Sequence, residues 1–212
     1  MTYVAPGTGE RMELSATSFL NAAAKAAGLL RDDLDVEPGD PVGVRLPLHW
    51  QRSVWWAACA LVGAVYIPDS TETVTVVSRE HLAQAASTDH VVLVSLAPFG
   101  LPDGGPIPAG VIEAATAARV HPDDFVPYEV PVDDWPLMPG LTAAEAMDRA
   151  EEICRRRAVP AGARVAVLPD DDDRDLLHLA VPLVAGGSVI LINSDGHDID
   201  DTLAAEGGTR YE

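Results

Sequence analysis

His49 and Trp50 stand just beyond the strand-like segment Val42–Leu46, which Pro47 ends. An imidazole beside an indole face can hold a planar or acyl ligand, and in open parallel sheets ligands gather just beyond the carboxyl ends of the strands. The plainer reading of the pair is a contact at the start of the next helix, with Trp50 packed on its first turn. Asp69 and Ser70 occupy the same kind of position after Val65–Ile67. Asp170 to Asp173, with Asp175 and His178, offer oxygen ligands for a hard cation. The stretch lacks the sharp-turn glycine of a calcium loop, however, and acidic residues at a helix start ordinarily act as dipole-stabilising caps. Asn193-Ser194-Asp195-Gly196-His197-Asp198 has the same look and reads as a turn before an acidic helix start. The candidate ligand-binding residues are therefore His49, Trp50, Asp69, Asp170 and Asp171. No metal site is expected, no catalytic residue is assigned, and no cofactor is expected.

Other chemistries find less support. Gly7-Thr8-Gly9 precedes a short strand and Gly186-Gly187 also precedes a strand, so neither stands between a strand and a helix as a dinucleotide loop must. No G-x-S-x-G elbow presents a serine to a histidine base. Lys25 is the single lysine, which leaves no second one for a phosphate clamp or a Schiff base. Cys59 and Cys154 lie inside helical patterns without a CxxC spacing and read as buried free thiols. Arg155-Arg156-Arg157 falls at a helix carboxyl end, where cations complement the dipole.

The elements that must position these residues follow from periodicity and punctuation. Thr8–Leu14 reads as a turn and a short strand. Ser15 caps a helix to about Leu30, on which Phe19, Ala22, Ala23, Ala26, Leu29 and Leu30 form one buried stripe. A Pro38-Gly39-Asp40 turn leads to the strand Val42–Leu46, a helix over about 51–62 stopped by Gly63, and the strand Val65–Ile67. Trp55 and Trp56, adjacent on that helix, cannot share a face; one is expected to pack inward and the other to meet the second half or a partner. Strands at 74–77 and 91–96 flank a helix over about 79–86. After a proline-rich joint from Pro98 to Pro139, with a short helix at 112–118, the capping box Thr142–Glu145 opens a helix to about Arg157. Then come the turn Val159–Ala163, the strand Arg164–Leu168, a helix over about 173–184, Gly186-Gly187 and the strand Ser188–Ile192. The order helix, Pro-Gly turn, strand ending in Leu-Pro, helix, glycine, strand thus occurs twice, offset by 122 residues at Leu46 and Leu168. Valine-rich strands alternating with helices predict an α/β fold of mostly parallel sheets. We expect one domain over 1–212 with pseudo-repeated lobes at 1–120 and 121–212.

Fourteen basic and 33 acidic residues give a formal net charge of −19, which repels phosphate backbones and anionic lipid. Neither nucleic acid nor a membrane is an expected partner. No basic leader and no apolar run of spanning length occur in the chain, so a cytoplasmic protein is expected.

Leu14 to Pro68, with Pro38-Gly39-Asp40, Leu46-Pro47 and Gly63-Ala64-Val65-Tyr66-Ile67-Pro68, resembles the opening of the adenylate-forming, AMP-binding superfamily of acyl-CoA synthetases and peptide-synthetase adenylation domains. Thr142 to Ile192, with Pro182–Gly187, is similar to the part just after the phosphate-binding loop of those enzymes. Gly9–Ser15 and Leu46–Trp50 look like a family of short actinobacterial proteins with only distant similarity to them, so the resemblance carries a fold and not a reaction. It implies a truncated N-terminal region of the adenylate-forming scaffold. The enzymes' phosphate loop is a Ser/Thr/Gly-rich run closed by Pro-Lys-Gly; at the matching place this chain has Val126 to Pro136, acidic and proline-rich, with few N–H donors. Their later nucleotide motifs and lysine-bearing lid have no counterpart before Glu212. Independent adenylation is not expected. The leading expectation is a noncatalytic interaction or small-ligand-binding protein, with a protein partner or second copy and a small acyl or aromatic ligand as its candidate partners. The alternatives are a component of an acyl- or aryl-activating ligase completed by another chain, and an enzyme with a site near His49.

Overall fold

The computed structural model describes residues 1–102, 104–194, 196 and 199–211. In chain order, β1 (Thr2–Ala5) and β2 (Glu10–Glu13) form a hairpin, followed by α1 (Ala16–Gly28), which runs on through one wide π turn at Leu29–Asp33. Next come β3 (Pro41–Arg45), α2 (Trp50–Val62), β4 (Val65–Pro68), β5 (Val74–Ser78), a 3-10 segment at Arg79–Ala85 and β6 (His90–Val94). The strand β7 (Val111–Glu113) and the single turn α3 (Ala114–Ala117) precede a small hairpin of β8 (Pro136–Met138) and β9 (Leu141–Thr142). The chain continues through α4 (Ala143–Arg156), β10 (Arg164–Val167), α5 (Arg174–Leu177), α6 (Ala180–Ala185), β11 (Ser188–Ile192) and α7 (Ile199–Glu206).

These elements make two compact units. One comprises Thr17–Pro47 and Gln51–Ala143 and is built on an all-parallel sheet of order β4-β3-β5-β6-β7. Every residue of β5 is buried, as a strand covered on both faces requires. Val77, Ala85 and Val91 form part of its core, with Leu82 and Val111 against them. The other unit comprises Met1–Ala16, Leu48–Trp50 and Ala144–Glu212, on a sheet of order β10-β11-β1-β2. There Ala166, Ile190 and Ile192 pack with Val4 and Leu203. The first sixteen residues, assigned from sequence to an N-terminal lobe, thus pack with the C-terminal unit, because β1 pairs in parallel with β11.

The two repeated patterns both fold as parallel strand-helix-strand units: β3 pairs with β4 and β10 with β11, each in parallel, as a helical crossover dictates. Gly187 is explained by packing, since a Cβ there would lie 2.0 Å from the Ala163 carbonyl oxygen. The single helix expected over 173–184 is broken into α5 and α6. Pro182 accounts for the break, because it has no N–H to offer the carbonyl four residues back and its ring crowds that carbonyl. A second departure concerns α2. Trp55 and Trp56 are 2% and 4% exposed, so neither is left for solvent. No residue of α2 is exposed, the signature of a helix enclosed on all sides.

Candidate functional site

His49 and Trp50 fall where the sequence places them, between β3 and the first turn of α2, and both are buried. Tyr3, from β1, meets the imidazole edge-on with ring centroids 4.4 Å apart; the Trp50 ring lies at 5.5 Å on a tilted plane. Asn193 holds Tyr3 by donating from Nδ2 to its hydroxyl at 3.4 Å, and Glu10 Oε1 stands 3.9 Å from His49 Nε2. Burial lowers the His49 pKa to about 4, so at neutral pH the ring is uncharged and has no second proton to donate. The same burial raises the Tyr3 and Glu10 values. The Trp50 indole N–H is enclosed with no hydrogen-bond partner among the described residues. Tyr3 and Glu10 are the members of this cluster that sequence reasoning missed.

Asp69 belongs to the other unit and is engaged by two arginines. It sits at a positive φ of 54° just past β4. Its carboxylate takes a two-pronged contact from Arg52 of α2, at 2.9 and 3.2 Å, while Arg45 donates to its carbonyl at 2.9 Å. Arg52 also donates to the Leu46 carbonyl and is itself only 1% exposed. A planar, always-charged guanidinium buried in this way needs a bidentate acceptor. Asp69→Ala is expected to lower stability by about 2 kcal/mol in urea unfolding, below the range for a fully buried pair, since the Asp69 side chain is 56% exposed. A change near zero would show that Arg52 does not depend on this carboxylate.

Asp170 and Asp171 both meet Arg210. The Asp171 side chain is 4% exposed, accepts from Arg210 at 2.6 and 2.9 Å, and takes the Leu168 N–H at 2.7 Å; Asp170 lies in solvent with Arg210 at 3.5 Å. Asp173 is held by Arg156 at 2.6 Å and Arg157 at 3.6 Å, so these two arginines tie down the acidic loop. His178 is buried at the end of α5. Among the described residues no group of three or more His, Cys, Asp or Glu is arranged to hold a metal ion. Asp195, His197 and Asp198 lie outside the described residues. Both cysteines are free thiols; Cys59 is buried, which pushes its pKa up to about 12, whereas Cys154 is only partly buried.

A cavity of about 410 Å³ lies elsewhere, at the amino ends of β3 and β4. One wall is the turn Asp35 to Pro38 with Val62 from the end of α2; the other is Phe125, Pro127, Tyr128, Glu129 and Trp135. Arg31, placed by the π turn, is clasped between the rings of Phe125 at 4.3 Å and Tyr128 at 4.2 Å and donates to the Val126 carbonyl at 2.7 Å. Gly63 seats the other aromatic: a Cβ there would come within 2.5 Å of the Trp135 ring. None of the five candidate residues lines this cavity, and its components are scattered over about a hundred positions. The sequence marks its parts singly, as the Pro38-Gly39-Asp40 turn, Gly63 and the acidic, proline-rich run from Val126 to Pro136, and not as one site.

A five-stranded parallel sheet containing β3 and β4 and a mostly parallel four-stranded sheet containing β10 and β11, both flanked by helices, define an α/β protein of the kind found in the N-terminal parts of acyl-CoA synthetases. An acyl-CoA synthetase from Brucella canis is similar over 99% of this chain and 44% of its own, with a TM-score of 0.78 at 16% identity. The acetoacetyl-CoA synthetase from Streptomyces lividans gives 0.77 at 20% identity, over 98% of this chain and 38% of that one. The inhibitor-bound N-terminal domain of FACL13 from Mycobacterium tuberculosis gives 0.68 at 18% identity, over 97% and 56%. The chain thus spans less than half the length of the first two. No protein-family model matches it. A TIGR03089 family protein from Mycobacterium tuberculosis strain H37Rv is 34% identical over 99% of this chain and 89% of its own, and the chain belongs to that family. Among the described residues no helix is long and apolar enough to cross a membrane.

Proposed function

We propose that the chain is a noncatalytic, cytoplasmic small-ligand-binding or interaction protein on the N-terminal scaffold of the adenylate-forming enzymes. The observation that carries this reading is the fate of the segment at the phosphate loop's place. Instead of a glycine-rich cradle of N–H groups around phosphates, residues 127–135 carry Pro127, Glu129, Pro131, Asp133 and Asp134 and help to wall a cavity of small-molecule size. A triphosphate brought to this segment meets carboxylates and few donors. The expected result is that millimolar magnesium-ATP neither raises the melting temperature nor gives heat in calorimetry, since a ligand selective for the folded state must stabilise it by mass action. Saturable micromolar binding, or pyrophosphate release with any carboxylic acid, would overturn the reading.

A second reading, a component of an acyl- or aryl-activating ligase completed by a partner chain, draws support from the fold likeness, which spans only part of each synthetase. Val126, Val130 and Val132 are also each more than half exposed, and a protein partner or second copy could cover them. Pyrophosphate release that appears only when a copurifying chain is present would favour this second reading.

A further inference from the structure

The charges around the cavity do not balance. Asp35, Glu37 and Glu129 line it, and none of their carboxylates has a hydrogen-bond or ion-pair partner among the described residues. The one cation in its lining, Arg31, is already satisfied: Asp32 accepts from it at 2.7 and 3.1 Å, the Val126 carbonyl takes a third N–H, and two aromatic faces enclose it. The hydrogen bond from Arg31 also holds the Asp32 carboxyl below its ordinary pKa, so that pair stays ionised and internally neutral. Everything else in the lining is apolar or aromatic, with Val36, Pro38, Val62 and Pro127 beside the Trp135 ring.

We infer that this cavity binds an organic cation, an ammonium or guanidinium group carried on a small apolar or aromatic body. The inference deepens the ligand-binding reading and rests on it. A cation entering here meets three uncompensated carboxylates and the Trp135 ring; an anion meets the same carboxylates and must also dislodge Arg31 from Asp32. Aromatic faces attract cations through their quadrupole, and Phe125 and Tyr128 already hold one in this way through Arg31. The apolar remainder of the wall gives the ligand's body a surface to dehydrate against, the usual division of labour in a small-molecule site. A net charge of −19 further raises the local concentration of cations at the surface.

The test uses the full chain with three probes that share one ring: benzyltrimethylammonium, benzyl alcohol and benzoate. Calorimetry and saturation-transfer NMR should show saturable binding of benzyltrimethylammonium, weakened by added salt, with benzoate inert and benzyl alcohol weaker by about tenfold. Glu37→Gln with Glu129→Gln touches only exposed side chains and should cost the cation about tenfold in affinity while leaving the melting temperature unchanged. Trp135→Leu should weaken it independently of salt. Equal binding of all three probes, an affinity indifferent to the double substitution, or no binding of the cation would each overturn the inference. The two readings fail differently: preference for benzoate or benzyl alcohol removes the cation and leaves a ligand-binding scaffold, whereas saturable magnesium-ATP binding removes the scaffold reading itself.

Discussion

Trp55→Ala and Trp56→Ala are each expected to lower the unfolding free energy by about 3–5 kcal/mol, the range for truncating a buried aromatic without collapse of the site. Two adjacent helical positions project about 100° apart, so a helix that buries both must be covered on widely separated sides. Trp56 packs edge-on to Tyr66 of β4, with centroids 6.2 Å apart. Its indole N–H is enclosed with no hydrogen-bond partner among the described residues. Trp56→Phe should therefore be far milder than Trp56→Ala, because it keeps an aromatic ring and removes an unsatisfied donor. Urea unfolding of the three variants checks this. Two near-silent alanine substitutions would mean that α2 is not enclosed, and the packing of the β3-β4 unit would have to be redrawn.

Acid is expected to destabilise the protein through His49. Burial holds its folded-state pKa at about 4, below the ordinary unfolded value of about 6.5. The unfolded chain therefore binds the extra proton first as the pH falls. The stabilisation is complete above about pH 6.5 and is lost progressively down to about pH 4, by about 3 kcal/mol in all. Glu10 works the other way, since its raised pKa makes its burial less costly once protonated, but it is the more exposed of the two and offsets only part of the loss. Tyr3 titrates far above this window. Urea unfolding between pH 7 and pH 4 should give His49→Phe a curve flatter than that of the parent chain by roughly this amount, whatever its absolute stability. Parallel curves would show that the imidazole is solvated.

Much of the layered architecture was legible because its signals are local. Pro38-Gly39-Asp40, Gly63 and the Thr142–Glu145 box mark element ends by chemistry that acts within a few residues, and β3, α2, β4, α4, β10 and β11 lie within a residue or two of where those signals place them. What escaped reading depends on distant partners. Thr2–Ala5 is a strand only because β11 and β2 flank it; four residues without alternation carry no period of their own. The rupture between α5 and α6 was foreshadowed by Pro182, whose effect reaches one turn upstream. The candidate site was legible in identity and not in setting: Asp69 and Asp171 stand where turns place them, but the arginines that engage them come from α2 and from Arg210 near the end of the chain. The cavity at Arg31 could be read only in pieces, as the Pro38 turn and the Val126 to Pro136 run, since its two walls are about ninety residues apart and meet through ring stacking on one guanidinium.

The place of β1 has a bearing on how the chain is made. Tyr3 pairs with Leu191, so β1 must wait for the nearly two hundred residues that separate it from β11 before its sheet can close. The unit that ends at Ala143 has all its strands by then and can fold during synthesis, while β1 and β2 remain a lone hairpin, which is marginal in water. For that interval the far edge of β1 is an open template for any other extended segment, including the same segment of a neighbouring nascent chain. The Met1 nitrogen, which donates to the Leu14 carbonyl at 3.0 Å, closes the base of that hairpin and not the later joint with β11.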